Sequence, residues 1–218
     1  MKKAILLLSG GLDSATTAAI LANENYEIFA LSFDYNQRHQ LELASAKKIV
    51  KFLDILHHNI IKIDSTIFQN SALTNNIEVP KNQDINPDKI PVTYVPARNI
   101  LFLSYATAYA ESLAINEIYI GANAIDYSGY PDCREETMTA LQSAIRFGME
   151  SELTIHAPLM NFSKKQTVEL ALDLAALPAM ALTHTCYNGV RPPCGSCPAC
   201  ELRIKGFREA GVVDPLTL

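Results

Sequence analysis

The strongest constraint on the fold is the apolar run Ala4-Ile5-Leu6-Leu7-Leu8, which closes on Ser9-Gly10-Gly11-Leu12-Asp13-Ser14 and leads into the stretch 15–22. An apolar run this short, ended by glycines, reads as a buried strand, and the alanine-rich stretch after it favours helix. Strand, small-residue turn and helix start, in that order, make an anion site. The glycines let backbone N–H groups approach phosphate oxygens, and the helix presents its positive N-terminal end to them. Ser9 and Ser14 add hydroxyl donors, while Asp13 can hold a Mg²⁺ that accompanies phosphates. The turn does not end in the Gly-Lys-Ser/Thr of a Walker loop.

The rest of the chain alternates between strand and helix. Residues 26–34 read as a second strand, buried and parallel to the first because a helix separates the two. Residues 40–56 place Leu43, Ala46, Ile49, Val50 and Leu53 on one side and Lys47, Lys48, Lys51 and Asp54 on the other, as in a surface helix. A third strand is expected over 58–63, with His57 and His58 in a solvated turn at its start. The irregular stretch 64–95 carries Pro80, Pro87 and Pro91 and reads as a lid, a binding loop or a partner surface. Residues 97–114 form a helix apolar nearly all round, hence one expected to be buried. A strand over 117–122, a polar loop, a helix over 134–149 and a strand over 153–157 follow. The last helix, 164–177, starts at the capping box Ser163-x-x-Gln166 and is ended by Pro178. This pattern predicts an α/β fold over residues 1–178: a doubly wound, five-stranded, mainly parallel sheet binding ligands at the carboxyl ends of its strands.

Residues 179–218 read differently. Cys186, Cys194, Cys197 and Cys200 are interleaved with Gly189, Pro192, Pro193, Gly195 and Pro198. Four soft ligands joined by turn-formers can close a tetrahedral shell around Zn²⁺, leaving no open position and so favouring a structural role. Four thiolates would also suit an iron–sulfur cluster, a redox Cys-x-x-Cys pair is a further reading, and a nucleic-acid-binding zinc module a third. Cys133, the fifth cysteine, reads as a small buried hydrophobe near a pocket.

The net charge of −5 and pI near 5.5 argue against a protein built to grip a nucleic-acid backbone. The apolar run at the start is too short for a secretory signal, and no stretch approaches the roughly 18 apolar residues of a membrane span. The expected compartment is the cytoplasm, with reduced thiols.

Ser-Gly-Gly-Leu-Asp-Ser after the first strand resembles the PP-loop of the ATP pyrophosphatases, which split ATP between the α- and β-phosphates to adenylate a carbonyl or carboxyl oxygen. Further motifs narrow the resemblance: Tyr35-Asn36-Gln37-Arg38-His39 with Glu42-Leu43, Tyr94-Val95-Pro96-Ala97-Arg98-Asn99 with Phe102-Leu103-Ser104, and the loop from Asp126 to Arg134. Together with the four cysteines they resemble the 7-cyano-7-deazaguanine synthase family of queuosine biosynthesis, over essentially the whole chain. Asn36 and Ala97 stand where that family more usually has glycine.

The resemblance implies an adenine nucleotide alpha hydrolase-like, Rossmann-like fold. It also implies a reaction in which 7-carboxy-7-deazaguanine, ammonium and two ATP give the nitrile, with AMP and pyrophosphate leaving at each stage. It points to ATP, Mg²⁺ and Zn²⁺ as cofactors and to a homodimer, with no nucleic-acid or membrane partner. Leu8, Ser9, Gly10, Gly11, Leu12, Asp13, Ser14, Ser32 and Phe33 would hold the nucleotide. Asp13, Arg38 and Arg98 would serve the chemistry, and Tyr130, Asp132 and Arg134 the base. Another adenylating enzyme acting on tRNA would need a basic surface or an extra RNA-binding domain, which this acidic chain does not show, and a zinc-bearing DNA-binding regulator would not need the ATP loop.

Overall fold

The computed structural model describes residues 2–37, 40–81, 89–124 and 129–217. Among these, the strands are β1 (Lys3–Leu7), β2 (Glu27–Asp34), β3 (His57–Lys62), β4 (Glu117–Ile120) and β5 (Thr154–His156). The helices are α1 (Leu12–Asn23), α2 (Gln40–Phe52), α3 (Arg98–Ser112), α4 (Glu135–Met149), α5 (Lys164–Asp173), α6 (Leu177–Met180) and α7 (Pro198–Glu209). The strands form one sheet in the order β3-β2-β1-β4-β5, with every neighbouring pair parallel. Lys3 pairs with Glu27, and Leu7 sits between Leu31 of β2 and Ile120 of β4.

The central strand shows why the sheet is layered. Successive side chains of a strand point to opposite faces, so Ile5 and Leu7 join Phe29, Leu31, Ile118 and the α3 residues Leu103 and Ala106 in one core. Ala4, Leu6 and Leu8 enter the other core with Ala15 and Ala18 of α1, Val168 of α5 and Phe207 of α7. Each such large side chain contributes about 1.5–3 kcal/mol when buried. Because both faces are covered, β1 must be apolar throughout its buried length, as it is. The chain leaves β1 toward β2 on one side and reaches β4 on the other, so the crevice at the carboxyl end of β1 is a topological switch point.

Several local expectations change. The helix read over 97–114 buries only Leu103, Ala106 and Ala110, while Ile100, Tyr105 and Leu113 are more than a third exposed, because a single face meets the sheet. The helix read over 164–177 ends at Asp173, where Ala175 turns left-handed. Pro178 lies in the first turn of α6, where its missing N–H costs nothing, and so opens a helix instead of closing one. His57 and His58 lie inside β3, an edge strand with much of its surface exposed. Asn36 and Ala97 both adopt φ near +55°, the left-handed region that glycine enters without penalty (φ +56° and +53°).

Arg203 ties the C-terminal residues to the rest. Its guanidinium donates to both carboxylate oxygens of Asp214 (2.6 and 2.8 Å), to Thr183 Oγ1 (2.7 Å) and to the Met180 carbonyl (3.2 Å). A buried arginine is tolerated only when its donors are spent in this way. Among the described residues no helix is long and apolar enough to cross a membrane.

Candidate active site and metal centre

At the carboxyl end of β1 the turn into α1 folds on its own hydroxyls. The Gly11 N–H donates to Ser9 Oγ (3.2 Å), the Gly10 N–H to Ser14 Oγ (3.3 Å), and the Ser14 hydroxyl to the Gly11 carbonyl (3.1 Å). Gly10 has φ +93°, and a Cβ there would lie 2.1 Å from the Glu42 carbonyl oxygen, so glycine is required twice over. The first turn of α2 therefore rests directly on this loop.

Asp13 points back across the loop to Lys164, the first residue of α5. The Lys164 ammonium donates to both carboxylate oxygens, at 2.7 and 2.8 Å, and the two side chains are 7% and 17% exposed. Three local features place Lys164 there. Ser163 and Gln166 close a capping box that orients the first turn of α5. Gly206 of α7 packs so close that a Cβ would lie 2.5 Å from Lys164 Cγ. Asp13 supplies the charge.

Above the loop lies a cavity of about 200 Å³ lined by Leu8, Ser9, Gly11, Leu12, Asp13, Ser14, Phe33, Arg98 and Tyr130 of the residues expected from the sequence. Gly10 backs onto α2 and does not line it. Ser32 turns away: its hydroxyl donates to the Leu8 carbonyl at 2.6 Å, and His58 Nε2 lies 2.8 Å from the Ser32 hydroxyl oxygen. Asp132 is buried behind the wall, accepting the Asn99 N–H at 2.8 Å, and Arg134 is exposed at the start of α4. Arg38 lies outside the described residues, as do Asp126 to Ser128.

The remaining wall comes from residues that periodicity does not single out. Phe33 and Phe102 stack at 3.9 Å, forming a flat apolar floor beside Tyr35, whose hydroxyl accepts from Arg98 Nη1 at 3.2 Å. Tyr130 shares a 2.7 Å hydrogen bond with Thr93. Asn99 Nδ2 donates to Cys133 Sγ at 3.2 Å, while burial, reinforced by Asp132, pushes the Cys133 thiol up to about 12, which favours the neutral thiol. Glu42 also faces the cavity; desolvation raises its carboxyl to about 7, opposed by Arg98.

Thr185 and Tyr187 carry the cavity wall into the cysteine cluster. The four sulfurs of Cys186, Cys194, Cys197 and Cys200 lie within 4.8 Å of one another, and Cys194 and Cys200 are 3.9 Å apart. A tetrahedral Zn²⁺ with bonds of about 2.3 Å sets its sulfurs roughly 3.8 Å apart, so the donor set fits such an ion. Backbone N–H groups of Tyr187 and Cys194 donate to Cys197 and Cys186 sulfurs, both at 3.4 Å. The hydrogen bond from Cys200 pulls the Cys197 thiol down, with the Tyr187 N–H assisting, and Cys200 is pushed up in exchange. His184, two residues before Cys186, donates its backbone N–H to the Gly10 carbonyl (2.9 Å), joining cluster and loop.

A parallel sheet with this glycine turn at its switch point defines an α/β protein of the PP-loop, adenine nucleotide alpha hydrolase-like class. The NMN synthetase of Francisella tularensis has the same fold, with a TM-score of 0.52 at 20% identity over 96% of this chain and 72% of that one. Within that class the chain belongs to the family described as Queuosine biosynthesis protein QueC, whose model matches residues 3–211. It is 50% identical to the 7-cyano-7-deazaguanine synthase of Thermoplasma volcanium, covering 99% of this chain and 90% of that protein. It is 51% identical to the synthase of Syntrophus aciditrophicus, covering 98% and 96%.

Proposed function

We propose that this chain is itself a 7-cyano-7-deazaguanine synthase, converting 7-carboxy-7-deazaguanine, ammonia and two ATP to the nitrile. The observation that carries the reading is half-identity along nearly the whole chain to synthases of that name, with the glycine turn opening into a cavity. Oxide is too poor a leaving group to be displaced from a carboxylate. The carboxylate oxygen therefore attacks the α-phosphorus first, pyrophosphate departs, and ammonia displaces AMP to leave an amide. A second adenylation, now on the amide oxygen, turns that oxygen into AMP and permits the nitrile to form.

The residues act mainly by positioning and charge. Leu8, Ser9, Gly10, Gly11, Leu12, Asp13 and Ser14 hold the departing pyrophosphate, and Phe33 borders the adenosine. Asp13, now paired with Lys164, would hold Mg²⁺ together with the phosphates, and the ion would neutralise charge on the leaving group. Arg98 meets carboxylate or phosphate with its planar fork of donors. Tyr130 offers a ring to the deazaguanine, with Asp132 set behind it through Asn99. Arg38 is assigned with Arg98, while Arg134, exposed at the start of α4, does not line the cavity. Cys186, Cys194, Cys197 and Cys200 would hold Zn²⁺, which would order residues 179–218 against the nucleotide-binding part, residues 1–178. The protein is proposed to act in the cytoplasm as a homodimer, without nucleic acid or membrane.

Incubating the purified protein with ATP, Mg²⁺, ammonium and 7-carboxy-7-deazaguanine tests this directly. The expected products are two AMP per nitrile. AMP formation that ignores the deazaguanine, or no nitrile by mass spectrometry, refutes the assignment.

A further inference from the structure

Two carboxylates line the cavity among the described residues, and they are placed differently. Asp13 is committed to Lys164 through both oxygens. Glu42 stands on the first turn of α2, whose backbone is pressed against Gly10, so it is fixed to the glycine turn. Among the described residues no hydrogen bond or ion pair holds the Glu42 carboxylate, although it faces the cavity. A carboxylate so placed has no structural bond to lose when it accepts a proton.

The reaction has a need that phosphate-holding groups do not meet. Ammonia brings three N–H bonds and the nitrile nitrogen keeps none, so three protons must leave nitrogen in each turnover. We propose that Glu42 is the base that takes these protons, in both halves of the reaction; the inference rests on the synthase reading and deepens it.

In the first half the nitrogen lone pair forms the bond to the adenylated carboxyl carbon. The bond from that carbon to the AMP oxygen breaks, and AMP leaves with the electron pair. One proton passes from nitrogen to Glu42, leaving the amide. In the second half the amide oxygen bonds to the α-phosphorus and pyrophosphate leaves. Glu42 takes one proton from the resulting cationic nitrogen and then the last one. The electron pair of that last N–H bond becomes the third carbon–nitrogen bond as AMP departs with the carbon–oxygen pair. Glu42 passes each proton to water before accepting the next.

The groups facing Glu42 are less suited. Tyr35, at the end of β2, and Tyr130 are both raised above the ordinary phenol range by burial. Arg98 on α3 is always protonated. Across the cavity lie the Asp13–Lys164 pair, the Cys133 thiol pushed up to about 12, and Tyr187 beside the cysteine cluster. Glu42, raised to about 7, exchanges protons near neutral pH.

The test separates adenylation from nitrogen chemistry. Exchange of labelled pyrophosphate into ATP, driven by 7-carboxy-7-deazaguanine without ammonium, reports the first step alone. In Glu42→Gln, amide formation from the acid and nitrile formation from the supplied amide are both expected to fall at least about 100-fold, with exchange falling far less. Nitrile formation near the wild-type rate overturns the proposal, and so does exchange lost in parallel with turnover in a folded variant. The unsubstituted enzyme gives a second measurement, needing no variant and no ammonia. Its rate of nitrile formation from the amide should rise about tenfold per pH unit below about 7 and level above it. A flat profile between pH 5.5 and 8 overturns the assignment of Glu42. Absence of exchange in the unsubstituted enzyme refutes the synthase reading instead.

Discussion

Gly206 on α7 allows a contest between two effects of opposite sign. Replacing a helical glycine by alanine ordinarily stabilises by about 0.5–1 kcal/mol, since the unfolded chain loses freedom. At Gly206 the added Cβ would lie 2.5 Å from Lys164 Cγ, 2.9 Å from Lys164 Cβ and 3.1 Å from its backbone carbon. Carbon atoms prefer about 3.5–4.0 Å, so the closest contact is short by about 1 Å. Overpacking of this kind costs about 1–3 kcal/mol. Lys164 cannot step aside freely, because its ammonium is held at 2.7 and 2.8 Å from Asp13 and the pair is largely buried. The steric term wins, and Gly206→Ala should destabilise by about 1–2 kcal/mol, lowering Tm by roughly 2–8 °C. Gly148, in α4 with nothing within 4 Å of its Cβ position, is the control, and Gly148→Ala should stabilise by up to about 1 kcal/mol. Urea unfolding at fixed zinc concentration, with m-values checked for equality, measures both. In a Lys164→Ala background the penalty at Gly206 should shrink markedly. Equal stabilisation at the two glycines would refute the claim that Lys164 is wedged between Gly206 and Asp13.

Three other perturbations follow from the same contacts. Lys164→Met should cost about 3 kcal/mol by stranding a largely buried Asp13 carboxylate, and Asp13→Asn in the same chain should recover part of it; a double-mutant cycle showing no coupling would dismiss the pair. Cys200→Ser should cut bound zinc well below one per chain by elemental analysis and lower Tm, whereas undiminished zinc would remove Cys200 from the metal shell. Glu42→Gln should stabilise the fold at pH 8 by roughly 1–2 kcal/mol and leave it little changed at pH 4. The sign follows from the raised pKa: protonated Glu42 suits the folded state, and ionisation through about 7 is what costs stability as pH rises. A benefit independent of pH would contradict it.

Much of the architecture is legible because it is written in near neighbours. The alternation of strand and helix, the glycine turn after β1 and the capping box at Ser163 depend on residues a few positions apart. The four cysteines likewise fall within fifteen residues, so their convergence can be read before any packing is known. The inner wall of the cavity is another matter. Asp13 and Lys164 are 151 residues apart, and a lysine beside a cap looks exposed until α5 and α7 are laid on α1. Ser32 looked like a nucleotide contact because it lies in β2 near the ligand end, yet the pleat and the pairing with β3 turn its hydroxyl to Leu8 and His58. Arg134 shares a loop with Tyr130 but starts α4 on the outer surface. The sequence by itself determined the sheet, its glycine turn and the cysteine cluster, since these rest on periodicity and local turn chemistry. Only the tertiary structure decided which polar groups share the cavity, because that depends on how helices distant in sequence pack across a twisted sheet.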